Sequence, residues 1–461
     1  MARSGVDRKS EVTTFMSLRG WSAPLIVLAV FLVAVFLLGG SSRFDVPQLI
    51  LLRPLAVCVA GYALVSMRFE YLRSRRALWC LAGATLLLVA LHLVPLPPAM
   101  WQALPGRGIM VEIDKVAGLA GLWRPLTMFP EGTWNALYAL VVPLAVALLA
   151  TRFDLRDNLR LMLVILVLAG VSAIVGVIQA AGSDLAMYRL AGGTSGLFAN
   201  RNHQAALLAC LIPVLAGLSQ AAPQVSGNPR ALRILAAATA VALVPLILVT
   251  GSRMGLLVTI AALLYAAASY LLVSKGVPSK GIGRLALLAA GAASLVAMVG
   301  ATIYAARDVA IDRIDAEGED LRLAFWESTL EFLPDYMPWG SGVGSFVPVY
   351  QIHEKAEMLM PQYINQAHND WLDIALTAGV PGLALLLVAV VMFLVALRNA
   401  FTARGVAGHL RRMGVGIILL LAFASLSDYP LRTPILSSLF AVAAIWSTFP
   451  VATRPSNESN A

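Results

Sequence analysis

Charge is what this chain lacks most. Only 13% of its residues are Asp, Glu, Lys or Arg, against 59% hydrophobic, and the mean hydropathy is +0.80. Soluble globular domains carry about a quarter charged residues, so that class is excluded. Cysteine is nearly absent: Cys58, Cys80 and Cys210 all fall in apolar runs, and three cannot pair completely. They read as small core residues, which leaves no redox or disulfide framework. There is no P-loop, no H-E-x-x-H and no G-x-S-x-G elbow. Nor is there a strict D-x-D, since Asp312 and Asp315 are three apart and Glu317-Gly-Glu319 is only a loose relative. Nothing therefore calls for a metal, and no cofactor is implied. No soluble domain, fixed-period repeat or low-complexity tract interrupts the chain. The first apolar run lacks an A-x-A cleavage site and leads into further runs, so it is expected to stay attached.

What is present is apolar runs of the length a helix needs to cross a bilayer, about 17 to 25 residues. They predict twelve spans, near 21–40, 46–66, 77–96, 134–150, 161–180, 203–220, 233–250, 255–273, 285–305, 380–397, 413–427 and 435–450. Basic residues accumulate in short cytoplasmic loops. With the N-terminus inside, the inside segments hold 21 Lys and Arg, against 12 in the collectively longer outside segments. Both termini are thus expected in the cytoplasm. The net charge of +9 follows from this asymmetry and is spread over seven inside segments, which argues against nucleic acid. The expected organisation is a cytoplasmic segment 1–20, nine transmembrane helices over 21–305, a periplasmic loop 306–379, three more helices over 380–450 and a cytoplasmic tail 451–461. The fold class is all-α, a polytopic membrane protein whose one large periplasmic loop contains short helices.

That loop is a polar island, residues 306 to 371, between two greasy stretches. Leu321 to Leu333 is rich in helix formers, and Pro334, Pro338 and Gly340 to Gly344 then break the chain into turns. The sequence predicts a second helix from about Gln366 to Ala378, with His368 one turn ahead of Trp371 and Leu372. Gly379 suits the left-handed position that ends a helix, and Pro381 the first turn of the next.

Ionisable groups at membrane depth are costly, so each invites a reason. Arg201 and His203 stand in Gly196-Leu-Phe-Ala-Asn-Arg-Asn-His203, where a Gly-rich loop enters the sixth span. Arg253 stands in Thr250-Gly-Ser-Arg-Met-Gly255, between two spans with almost no loop. Guanidinium groups at that boundary suit a diphosphate, which they grip in bidentate fashion; the plainer role is snorkelling to carbonyls or lipid headgroups. Arg322 on the island is a third candidate, and Arg53 in the second span belongs either to a structural pair or to the same pocket. His368 is the candidate base, because an imidazole titrating near pH ~6.5 can be neutral and accept a proton from a hydroxyl. Asp370 or another carboxylate would orient it. His92, His353 and His409 have no comparable setting and read as structural.

In this order the motifs resemble the O-antigen ligase and polymerase superfamily, membrane glycosyltransferases that use undecaprenyl-diphosphate-linked glycans. The resemblance covers roughly residues 190 to 435. It consists of the segments around Arg201 and Arg253, Arg322 with Trp326, Gly340-Ser-Gly-Val-Gly-Ser-Phe346, His368-Asn-Asp-Trp371 ahead of Gly379-Val-Pro-Gly382, and Ser427-Asp-Tyr-Pro-Leu-Arg432. It implies that Arg201, Arg253 and Arg322 bind the lipid diphosphate and that His368 activates the acceptor hydroxyl, with Asn200, His203, Trp326, Asn369 and Asp370 in support. The implied partners are a lipid-linked glycan donor, a glycan or lipid A-core acceptor and membrane lipids. The implied setting is a bacterial inner membrane with the site facing the periplasm. A ligase, a polymerase of the same superfamily and, in another class, a lipid-glycan flippase or transporter remain alternatives at the level of sequence.

Overall fold

The computed structural model of the chain describes residues 20–188, 193–273, 321–359 and 366–450. The expected ninth span at 285–305, both chain ends and the island's first part lie outside these residues. Among the described residues the fold is all-α. The single exception is a two-residue antiparallel pair, β1 (Pro95–Leu96) with β2 (Arg124–Pro125), at the base of a loop.

The helices that carry the fold are α1 (Ala23–Leu38), α2 (Leu49–Val65), α3 (Arg76–Leu91), α4 (Pro130–Ala150), α5 (Leu155–Ala180), α6 (Arg201–Val225), α7 (Pro229–Val249) and α8 (Arg253–Val273). On the island follow α9 (Leu321–Phe332) and α10 (Phe346–His353), and then α11 (Asp370–Thr402), α12 (Gly405–Ala424) and α13 (Pro434–Ser447). Seven of them, α4 to α8 with α11 and α12, are long and apolar enough to cross a membrane. The apolar helices α1, α2, α3 and α13 are shorter, 14 to 17 residues. Their ends coincide with cap chemistry. The Ser22 hydroxyl accepts from the Leu25 amide at the start of α1, and Thr433 serves α13 in the same way. Where the apolar run alone predicted a span from 161, Asp154 caps the helix earlier, so α5 takes in Arg156, Asp157 and Arg160.

Helix α6 forms the axis. It is buried along most of its length and packs on α7, α8 and α12, while α12 also packs on α13 and α4 packs on α2 and α13. The surrounding helices present long rows of exposed Leu, Val and Ile outward. In water such a surface would be untenable; in hydrocarbon it is the expected one.

One end of the bundle is knitted together. The Ala199 amide donates to Gly40 O at 3.0 Å, and Ile435 N to Gly39 O at 3.2 Å. These bonds join the α1–α2 turn to the entrances of α6 and α13. The Arg107 guanidinium, buried in the 97–129 loop, donates to Pro105 O, Leu126 O and Gly340 O. His92 Nδ1 accepts from Val343 N at 3.1 Å, and Thr133 Oγ1 donates to Val343 O at 2.6 Å. So the loop before α4 and the island's glycine segment form one layer over the helix ends. Gly342 lies at φ 109°, and a Cβ there would fall 2.1 Å from Thr127 Oγ1, so only glycine lets the two strands of chain approach.

Candidate active site

Three helices begin within reach of one buried carboxylate. Helix α6 starts at Arg201, behind Asn200, whose side chain accepts from Asn202 N. Helix α8 starts at Arg253, behind Ser252. Helix α11 starts at Asp370, behind Asn369, whose side chain accepts from the amides of Trp371 and Leu372 at 3.1 Å each. The carboxylate is Asp428, fully buried in the turn between α12 and α13.

Asn202 Nδ2 donates to Asp428 Oδ2 at 2.8 Å, and Ser252 Oγ donates to Asn202 Oδ1 at 2.7 Å. These two bonds lock the entrances of α6 and α8 to each other and to Asp428. The other carboxylate oxygen faces two imidazoles, His368 Nδ1 at 3.7 Å and His203 Nε2 at 3.9 Å. Tyr429 packs between them, its ring centroid 4.9 Å from His368 and 5.4 Å from His203. Burial pushes the Asp428 carboxyl up, but the adjoining His368 and His203 rings and the Asn202 amide outweigh it and hold the group at about 2. It is an anion throughout the working range.

The two histidines differ in access. His203 is 1% exposed and buried on all sides, whereas the His368 side chain is 23% exposed. Only His368 combines contact with the carboxylate with a path to solvent. At 3.7 Å a shift of under an ångström completes the hydrogen bond, a looseness common in catalytic groups before substrate arrives.

The backbone at His368 corrects the sequence expectation. His368 is not on a helix: its φ is +50°, and α11 begins only after Asn369. The Asn369 side chain takes the first free amides of α11, which ends the helix there and leaves His368 in a left-handed turn before it. Neighbouring contacts hold the turn in place. Trp326 Nε1 on α9 donates to Ala367 O at 3.0 Å, and Trp371 Nε1 donates to Ala422 O at 3.2 Å. Arg322 lies one turn before Trp326 on α9, half-buried.

Asp370 does not orient His368. Its carboxylate accepts from Ser425 Oγ at 3.0 Å and from Arg432 Nε at 3.1 Å, while Arg432 Nη2 sits 3.0 Å from Asp373 Oδ1. The paired carboxylates raise the Arg432 guanidinium further above its ordinary range despite burial. This cluster fastens the start of α11 to the turn after Asp428. The segment Ser427 to Arg432 carries part of the resemblance, but nothing local to it marks a role for Asp428. Its partners lie 60 and 226 positions away, so only the tertiary fold reveals it.

Arg201 is half-buried and Arg253 exposed. Each is the first residue of its helix, where the helix dipole favours an anion. The three histidines set aside are engaged elsewhere: His92 with Val343 N, His353 with Tyr336 Oη at 2.9 Å and stacked on Phe332, and His409 with Gln220 and Arg412. Arg53 reaches Asn135 Oδ1 on α4.

No curated protein matches the chain. Residues 238–387, about a third of its length, match the family model described as O-antigen ligase, a stretch that holds Arg253, Arg322, Trp326, His368 and Gly379. On that match and the ordered motifs around it, this multi-pass membrane protein resembles the O-antigen ligase and polymerase superfamily of glycosyltransferases.

Proposed function

We propose that the protein transfers a glycan from undecaprenyl diphosphate to a hydroxyl acceptor at the periplasmic face of the inner membrane, as an O-antigen ligase does, with inversion and without a metal. The observation that carries this reading is the convergence of His368 with the entrances of α6 and α8 on Asp428. His368 takes the proton from the acceptor hydroxyl as it attacks the anomeric carbon. The Asp428 carboxylate fixes the ring and stabilises the imidazolium that forms. The leaving diphosphate departs as a dianion or trianion, so it needs charge more than a proton. Arg201 and Arg253, each at a helix N-terminus, supply it, and Arg322 supports them from the island. A single displacement of this kind inverts the anomeric centre.

The test is direct. Purified protein in detergent, given a lipid-linked glycan and an acceptor, is expected to release undecaprenyl diphosphate equally well with and without a chelator. His368→Ala is expected to lose at least 100-fold in kcat while melting normally; a folded variant with full activity removes the base. Loss of activity in chelator removes the metal-free mechanism. A deletion strain separates the acceptors: bare lipid A-core identifies a ligase, and unpolymerised lipid-linked units a polymerase. Lipid-linked glycan moved across vesicles without bond cleavage identifies a flippase.

A further inference from the structure

Between α3 and α4 the 97–129 loop is built inside out. Its nine-residue helix, Gly108–Val116, buries a single residue, and that residue is the charged Asp114, 1% exposed. The Asp114 carboxylate accepts from Arg124 Nε at 2.6 Å and from Arg124 Nη2 at 2.5 Å, while the guanidinium lies 5.8 Å from the centre of the Trp101 ring. Trp101 Nε1 and Gln102 Nε2 donate to Leu122 O and Ala120 O at 3.0 Å each, which closes the hairpin above β1 and β2. The apolar side chains are left outside. Ile109, Ile113 and Val116 recur at the spacing of one helix face, with Ile113 59% and Val116 93% exposed, and Leu119, Leu122 and Trp123 carry the surface past the helix end. A loop folded against water hides such residues and shows its ions.

We infer that this face is immersed in the lipid of the leaflet at the island end of the bundle, as an interfacial anchor for the loop, a role independent of the transferase reading. The exposed row Leu87, Leu91 and Val94, spaced four and three apart, runs along α3 and past its end into the loop. Lipid against that row therefore adjoins the patch. Trp123 is exposed, and so are Trp134 and Tyr138, stacked at 5.7 Å near the start of α4. Such rings gather where hydrocarbon meets headgroups. Of the loop's five charged residues Arg107 and Asp114 are buried and Arg124 half-buried, so the exposed ones are Glu112 and Lys115, which cancel. The face is neutral and fits a lipid surface whatever its headgroup charge. Arg107 donates to Gly340 O and Met128 N to Ser341 O at 2.9 Å, so an anchored loop holds the island's glycine segment at a fixed height over the membrane.

The experiment puts a nitrobenzoxadiazole label on single cysteines of the full-length protein, one molecule per phosphatidylcholine nanodisc. Cys58→Ala and Cys80→Ala remove the exposed thiols, and Cys210 is buried. Doxyl-labelled lipid quenches from the bilayer and iodide from water. Ile113→Cys and Val116→Cys are expected to be quenched by doxyl lipid at least about half as strongly as Leu87→Cys on α3, and by iodide at least about 3-fold less than Lys355→Cys on the island. Adding Val116→Asp to Ile113→Cys is expected to weaken the doxyl quenching at least about 3-fold. Iodide quenching at Ile113 and Val116 equal to that at Lys355 overturns the anchor. Shielding from iodide without doxyl quenching overturns the lipid assignment, since protein then covers the face. The same values are expected in phosphatidylglycerol discs, and quenching confined to those discs overturns the neutral anchor.

Discussion

At the scale of single residues, the proposed mechanism turns on the Asp428 carboxylate. It bonds the entrance of α6, through Asn202, and faces the histidine that has a path to solvent. Asp428→Asn keeps the shape and the Asn202 contact but removes the charge that steadies an imidazolium. The expected result is a kcat lower by roughly 10² to 10⁴, with the donor KM little changed. An unchanged kcat would leave His368 acting alone. The same carboxylate carries a pH signature. Its ordinary value is 3.8 and the fold holds it at about 2. A group depressed in this way contributes stability that is fully present above pH about 4 and is lost as the pH falls through about 2. The melting temperatures of wild type and Asp428→Asn should therefore converge on acidification across that window. A gap of constant width between pH 5 and pH 2 would show that the carboxylate gains nothing from its neighbours.

At the scale of elements, caps and kinks set the geometry more than the apolar runs do. Helix α11 is continuous from Asp370 to Thr402 except at Gly379, which takes φ 58° and ψ −151°. Gly379 has the positive φ expected of it, but its ψ puts it in the extended glycine-only region and not at a left-handed helix cap, and a Cβ there would lie 2.3 Å from Pro338 O. Gly379→Ala pays twice, in backbone strain and in displacing the island from the helix. It is expected to lower stability by roughly 1 to 3 kcal/mol and to cut activity more than Ala substitution at an exposed site of α11 such as Val380. Equal melting temperatures for the two variants would refute it. The same contrast explains what could be read in advance. The helices α6, α8 and α9 were legible because apolar or helix-forming runs begin beside Asn200, Ser252 and Leu321. The start of α11 was misread because Gln366-Ala-His368 is compatible with a helix, and only the Asn369 side chain, bonded to two amides, fixes the boundary after it. Asp428 was unreadable for another reason: a lone carboxylate in a short polar turn has no local signal, and its role arises from contacts made across the bundle.

At the scale of the whole molecule, the long loops and the candidate groups gather at one end. The entrances of α2, α4, α6, α8, α11 and α13 and the exits of α1, α3 and α12 are tied, directly or through one intermediate, by hydrogen bonds to the island or to the turns around Asp428. Such sorting gathers the candidate groups at one end of the bundle, where the proposed transfer would take place. It also fixes a testable orientation, because helices that alternate in direction put the remaining short, basic turns at the opposite end. Those turns include Arg68-Phe-Glu-Tyr-Leu-Arg73, Arg152 to Arg160 and Arg398 to Arg412, all within segments that the sequence expects inside. By the positive-inside rule that end is expected in the cytoplasm. Fusing alkaline phosphatase after residue 355 on the island is expected to give an active enzyme, since phosphatase needs the periplasm to fold. Fusion after residue 404 is expected to give an inactive one, and a fluorescent protein fused at the same point a bright one. The reverse pattern would place His368 and Asp428 in the cytoplasm, where a periplasmic glycan transfer has no access to them.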